Sequence, residues 1–316
     1  MNGFLNINKP PALTSHDVVA RLRRVLPATR IGHTGTLDPI ATGVLPLCLG
    51  RATKVAQLIV ATDKGYRVTM RLGEATDTLD ASGRVLQRTD GARLAGITAE
   101  GVAKAVEGFQ GTILQLPPMY SAIKVGGRRL YQAARAGEDV PRESRPVVIH
   151  RIEIRALELG PDGGRVVMEV ACSKGTYIRT LCADIGARLG VDAHMAALER
   201  RRSGPFRIED ALDLDAACDL ARAGQLQSRV LAVEVVLAEH KGIEVSSEGE
   251  RRIQHGRPLG REMLRRWPKD FTTGDRVLVY NPAGQLIALA QALIDDQAVA
   301  AAGADVAMFK PERVLA

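Results

Sequence analysis

The sequence predicts a mixed α+β fold, with a largely antiparallel sheet flanked by helices and a small β-rich tail. Three observations carry this reading. Tyr66 to Leu72 alternates strictly, with Tyr66, Val68, Met70 and Leu72 on one face and Arg67, Thr69 and Arg71 on the other. Ile178, Leu181, Cys182, Ile185 and Leu189 then give helical spacing directly after a second alternating run, Val166 to Cys172. From about Glu239 the texture changes to short apolar runs separated by turns such as Asn281-Pro-Ala-Gly284. Strands and helices joined by short connections favour α+β over a doubly wound parallel sheet.

In chain order, Gly3 to Asn8 reads as an opening strand. Thr14 and Asp17 have the spacing of a capping box, ahead of a helix with Val18, Val19, Leu22, Val25 and Leu26 on one face. Pro27 closes that helix. Ile31 to Gly50 is rich in Gly, Thr and Pro and has no period, which predicts a long loop and hence a functional segment. An amphipathic run follows at Thr53 to Ala61. Further alternation marks strands at Val147 to Ile154 and Val166 to Cys172. In the tail, Ile243 to Val245, Arg276 to Tyr280, Leu286 to Ala292 and Val306 to Phe309 read as short strands. The expected division is a catalytic region over 1–238 and a second domain over 239–316, with no internal repeat.

Composition narrows the class. The 316 residues carry 43 basic and 36 acidic side chains, a net charge of +7, and the cations are 34 arginines against 9 lysines. They cluster at Arg21, Arg23 and Arg24, from Arg142 to Arg151, from Arg200 to Arg202 and from Arg251 to Arg266. Arginine's planar fork suits phosphate oxygens, although solvated helix faces and a compositional bias explain the same clusters. A 46% apolar fraction excludes wholesale disorder. No run approaches a membrane span and the first ten residues do not resemble a signal peptide, so a cytoplasmic protein with no membrane partner is expected. Cys48, Cys172, Cys182 and Cys218 form neither a C-x-x-C pair nor a framework, which predicts reduced thiols. The six histidines never form an H-x-x-x-H pair, and no metal is expected.

Three segments can carry chemistry. In Gly32-His-Thr-Gly-Thr-Leu-Asp-Pro-Ile-Ala-Thr-Gly43, glycines permit close approach and Pro39 bars Asp38 from the helical region, presenting its carboxylate from stiff chain. A lone Asp-Pro more often caps a turn. Gly32-x-x-Gly35 has the form of a KH-domain loop, but such loops run into a helix, which Pro39 disfavours. Ser173-Lys-Gly-Thr-Tyr-Ile-Arg-Thr180 joins a strand to a helix, where amides and cations meet anions, yet it lacks P-loop spacing. Arg179 falls in the first helical turn, against the macrodipole, so a carboxylate or phosphate partner explains it better than helix stability does. Asp63-Lys-Gly-Tyr66 opens the alternating strand, and a tyrosine there is more often core than catalytic.

Together these segments resemble the TruB family of tRNA pseudouridine synthases. The resemblance rests on Asn8-Lys9-Pro10, Gly32 to Gly43, Lys64-Gly-Tyr66, Pro118-Met-Tyr-Ser-Ala-x-Lys124, Ser173 to Arg179, and Leu198 with Gly204-Pro-Phe206, in one order along nearly the whole chain. Gly256-Arg-Pro-Leu259 and Lys310-Pro-Glu-Arg-Val314 make the tail similar to a PUA RNA-binding module. Thr36, Glu199 and Ala288-Leu-Ala-Gln291 depart from the family pattern.

The resemblance implies a pseudouridine synthase fold with Asp38 as catalytic carboxylate, Tyr66 stacked on the target uracil and Arg179 as the ion partner of Asp38. His33 would wedge into the tRNA T loop, Tyr177 and Leu198 would line the pocket, and Lys9 and Pro10 would join the substrate-binding set. It implies isomerisation of uridine at position 55 by base flipping, without cofactor, by a monomer acting on the T stem-loop. Attack by Asp38 at C1′, attack at C6 and elimination to a glycal fit these residues equally. An arginine beside Asp38 is expected to lower its pKa. The competing classes are a non-catalytic RNA-binding or tRNA-folding chaperone, against which an intact Asp38, Tyr66 and Arg179 argue, and a phosphate-binding enzyme of another kind.

Overall fold

The computed structural model describes residues 1–121, 123–138, 140–303 and 306–315. Ala122 of the Pro118 to Lys124 motif lies outside the described residues, as do the side chains of Lys124 and Tyr131.

Strand β1 (Gly3–Lys9) leads into helix α1 (Ser15–Val25). Thr14 accepts from the amide of Asp17 while the Asp17 carboxylate accepts from the amide of Thr14, so the capping box fixes the start of α1. Val18, Val19 and Leu22 are buried against the sheet. The expected long loop is shorter than the sequence suggests. Ile31–His33 is strand β2 and Thr42–Leu49 is strand β3, leaving only residues 34–41 as loop between them. The period is missing from β3 because Gly43 to Leu49 are all buried, and a strand covered on both faces shows an apolar run instead of alternation. Strand β4 (Lys64–Leu72) follows, buried at Val68, Met70 and Leu72 as its alternation requires.

Among the described residues the main sheet has ten strands. Its path runs from Leu212–Asp213 through β1, β3, Ala193–Ser203, β4, Gly163–Cys172 and Arg145–Gly160 to Gly111–Gln115, with β2 on β3 and Phe206–Arg207 on Ala193–Ser203. Pairing is antiparallel except between β1 and Leu212–Asp213 and between β3 and Ala193–Ser203. Ala193–Ser203 is a central strand where the sequence shows only a basic cluster. Its register sets Arg200 between Gly43 on one side and Tyr66 on the other. Gly43 has a φ of +97°, and a Cβ there would lie 2.3 Å from the carbonyl oxygen of Arg200, so only glycine lets the two strands pair.

The tail forms a separate five-stranded sheet, ordered Leu264–Arg266, Lys241–Val245, Arg276–Tyr280, Leu286–Ala292, Phe309–Val314. The last strand starts where the predicted Val306 to Phe309 strand ends. Pro311 and two charged neighbours hide it in the sequence, although an edge strand tolerates them. One face of this sheet covers its own core, including Ile243, Val277 and Phe309. Leu278, Leu286, Leu289 and Leu315 instead join an apolar seam with Phe4, Val44, Val55, Phe206 and Val236 of the first 238 residues. Arg51 and Lys54 donate to the carbonyls of Leu315 and Val314 across the same seam. All four cysteines are buried and unpaired, and burial pushes Cys48 to about 12 and Cys172 to about 11. No helix among the described residues is long and apolar enough to cross a membrane.

Candidate active site

Residues 34–41 carry Asp38 over the centre of the main sheet, and several independent bonds hold them there. The Thr34 amide and hydroxyl both donate to the carbonyl of Pro46, at 3.0 and 3.1 Å. The Leu37 amide donates to Ser15 Oγ at 2.9 Å, and the Ala12 amide donates to the carbonyl of Pro39 at 2.9 Å. Leu37 and Ala41 plug the core beneath. From the far side, Arg200 Nη2 donates to the carbonyl of Gly35 at 3.1 Å. A loop bonded at this many points presents one carboxylate without conformational search.

Arg179, on the first turn of helix Ile178–Leu189, meets that carboxylate. Its Nε lies 3.0 Å from Asp38 Oδ2, and Nη2 lies 3.4 Å from Oδ1. Nη1 and Nη2 also donate to the carbonyls of Thr78 and Tyr120, at 3.0 and 2.7 Å. A second acid, missed in the sequence because no motif frames it, completes the group: Asp80 Oδ2 is 3.8 Å from Arg179 Nε, with only 5% of its side chain exposed. Asp80 Oδ1 accepts from Thr78 Oγ1 and from the Ser82 amide, at 2.8 and 2.9 Å. One buried cation thus serves two carboxylates.

Arg179 has the lowering effect on Asp38 that the sequence suggests, but burial outweighs it and the net shift is upward. Burial pushes its carboxyl above the ordinary 3.8, the Arg179 guanidinium pulls it back down, and the neighbouring charge of Asp80 adds to the rise. The group remains accessible, since 35% of its side chain faces solvent.

Tyr66 projects from β4 on the same face as Val68, and burial raises its phenol above the ordinary value, with the charge of Arg200 opposing the shift. Leu198 sits on the neighbouring strand opposite Val68 and is buried. Tyr177 is the residue ahead of helix Ile178–Leu189. Gln115 pins its backbone from both sides, donating to the Tyr177 carbonyl at 3.0 Å and accepting from its amide at 2.7 Å. The charge of Asp38 reaches both tyrosines, and that of Arg179 reaches Tyr177. His33 ends β2, stacks edge-on against exposed His16 with ring centroids 5.9 Å apart, and has a buried Nδ1 without a hydrogen-bond partner.

Lys9, expected in the substrate-binding set, is wholly buried. Its ammonium donates to the carbonyls of Pro10, Leu13 and Pro39, so its three hydrogens hold the loop beside Asp38 and none is left for a substrate. Burial lowers its pKa to about 8. Pro10 follows, half-buried, at the end of β1. Arg200, part of a basic cluster in the sequence, is 2% exposed. Arg201, its neighbour, is tied to Glu199 and Glu209 at 3.5 and 3.0 Å.

Residues 23–178 match the TruB family pseudouridylate synthase (N terminal domain), and residues 179–238 match the tRNA pseudouridylate synthase B C-terminal domain. The chain is 40% identical over 293 residues to the tRNA pseudouridine synthase B of Pelotomaculum thermopropionicum, a match covering 92% of each. It is 46% identical over 256 residues to the protein of the same name from Symbiobacterium thermophilum, covering 81% of this chain and 82% of the relative. A solved structure described as a Cbf5-Nop10-Gar1 complex superposes with a TM-score of 0.75 at 28% identity, over 99% of this chain and 85% of that one.

Proposed function

This chain belongs to the TruB family of pseudouridylate synthases and is a tRNA pseudouridine synthase, and from that premise we propose that it isomerises uridine at position 55 of the T loop with Asp38 as nucleophile. The observation that carries the assignment of Asp38 is its partly exposed carboxylate, held by Arg179 at 3.0 Å on a loop bonded at Thr34, Gly35, Leu37 and Pro39. Moving uracil from N1 to C5 on the same C1′ changes no oxidation state. It needs a fixed carboxylate, a base held while its glycosidic bond is open, and an acceptor for the C5 proton. A base stacked in the T loop is out of reach of Asp38, so it must be flipped, at a cost of a few kcal/mol that stacking on Tyr66 and backbone contacts offset. In this reading Tyr177 and Leu198 enclose the ring and His33 enters the gap left behind. Incubating the pure protein with unmodified tRNA transcript and EDTA, then mapping the product chemically, tests it. One mass-neutral pseudouridine in the T loop is expected, and modification elsewhere would overturn the positional assignment.

Residues 239–316 we read as a PUA-like RNA-binding domain appended to a catalytic domain spanning 1–238, in a monomer acting in the cytoplasm. Arg257 and Arg265 are exposed, and Arg261 stacks over Trp267 at 4.1 Å from the ring centroid. These groups suit phosphate contact. Substituting Arg257 or Arg265 with Ala should flatten the slope of log affinity for tRNA against log salt by roughly 0.7 to 0.9 for each phosphate no longer neutralised. Parallel slopes for variant and parent would show that the arginine merely faces solvent.

Truncation after residue 238 tests the division itself. It uncovers the apolar seam around Phe4, Val44 and Phe206, so the remaining chain should melt lower than the parent. It should nonetheless keep its single-turnover rate on an isolated T-arm hairpin while its Michaelis constant for full-length tRNA rises. Loss of the hairpin rate in a truncated protein that still melts cooperatively would show that the tail shapes the active site.

A further inference from the structure

Arg200 is among the largest side chains in the protein with essentially no exposure, and among the described residues it meets no carboxylate. Its Nε donates to the carbonyl of Val44 at 2.7 Å and its Nη2 to the carbonyl of Gly35 at 3.1 Å. It stands directly across the strand pair from Tyr66, and its charge opposes the rise that burial imposes on the Tyr66 phenol. A buried cation without a counter-charge is costly, and carbonyl dipoles compensate it only in part. Such a charge is retained where a negative charge develops next to it. The group beside it that can become anionic is the phenol of Tyr66.

We propose that Arg200 is a positioning residue for the reaction, fixing the hydroxyl of Tyr66 for proton transfer from C5 of the rearranged base while tying the Asp38 loop to the same cation through Gly35. This rests on the reading of the protein as a pseudouridine synthase. A guanidinium only donates, so in any bond between the two Tyr66 Oη accepts and must direct its own hydrogen elsewhere. In the step concerned, C5 carries both its hydrogen and the new bond to C1′. The phenol releases its proton to solvent and becomes a phenolate held against Arg200. The C5–H bond then breaks and the proton passes to Oη; its electron pair restores the C5–C6 double bond while the C6–N1 π pair moves onto N1, which takes up a proton from solvent in place of the one the phenol released. Atoms and charge balance without a co-reactant, and Arg200 stays protonated throughout.

The test compares Arg200→Gln and Arg200→Lys, each alone and combined with Tyr66→Phe. Three readouts are needed: tRNA affinity, single-turnover rate against pH, and the ultraviolet titration of Tyr66, assigned by its absence in Tyr66→Phe. Arg200→Gln should lower the single-turnover rate by about 100-fold with affinity within about threefold, and should move the Tyr66 titration to higher pH. It should cost little more in a protein that already carries Tyr66→Phe. Arg200→Lys should recover part of both the rate and the titration, and it carries the same comparison if the Gln variant does not fold. An equal loss in the Tyr66→Phe background, or an unmoved titration, would overturn the proposal and leave Arg200 a strut for the loop. If the parent made no pseudouridine, the functional reading would fail, whereas the titration shift would still report the Tyr66–Arg200 coupling.

Discussion

Asp38→Asn is expected to abolish pseudouridine formation, by at least about 1,000-fold in single turnover, while tRNA affinity stays within about tenfold. Asn is nearly isosteric, and the loop bonds that set the position of residue 38 come from Thr34, Leu37, Pro39 and Gly35 rather than from the carboxylate. What is lost is the oxygen proposed as nucleophile and half of an ion pair. The tRNA binding proposed for Tyr66, Tyr177 and the tail does not pass through that oxygen, so rate and affinity should separate. A variant that binds as weakly as it reacts would show that Asp38 shapes the loop instead of doing chemistry.

Arg179→Ala should be nearly as damaging to the rate and more damaging to the fold. The guanidinium joins Asp38, Asp80 and the carbonyls of Thr78 and Tyr120, so truncation leaves Asp80 buried without its cation. Breaking a buried pair from one side costs about 3 to 5 kcal/mol, and a fall of that order in unfolding free energy is expected. The pH dependence distinguishes this from a simple loss of stability. As the proposed nucleophile Asp38 must be ionised, and burial has already raised its pKa, so the rate should fall with decreasing pH through a value above the ordinary carboxylate 3.8. Removing the cation that pulls this pKa down moves the acidic limb further up in pH. Profiles measured on folded protein, at temperatures well below each melting point, should show that displacement. Superimposable acidic limbs would mean that Arg179 does not set the ionisation of Asp38.

What can be read in the sequence is what local chemistry alone decides. The capping box at Thr14 and Asp17, the alternation of β4 and the helical spacing from Ile178 to Leu189 are each complete within a few residues, and each appears in the fold as expected. Strand β3 is not legible, since both of its faces are covered by elements distant in sequence and its apolar run has no period. Ala193–Ser203 is hidden by its own charges: Arg200 and Arg201 are adjacent in sequence, but one lies in the core beneath the loop and the other pairs with Glu199 and Glu209 at the surface. Sequence position cannot distinguish them without the pairing of β3 and β4 on either side. Asp80 escapes notice for a related reason. It follows Leu79 in a turn with a positive φ, and only the folded chain brings that turn against Arg179. Lys9 is visible as a motif member, but its burial against three carbonyls depends on a loop distant in the chain.

The Asp38 carboxylate, gripped by Arg179, is the group proposed to convert one uridine of the tRNA T loop. The most direct measurement is a parallel single-turnover assay of the parent and Asp38→Asn proteins on the same unmodified tRNA transcript, with the modified position mapped chemically. A single pseudouridine in the T loop is expected with the parent and none above background with the variant, at protein concentrations that saturate both with tRNA. Pseudouridine formed by the Asp38→Asn protein at a rate near that of the parent would contradict the claim.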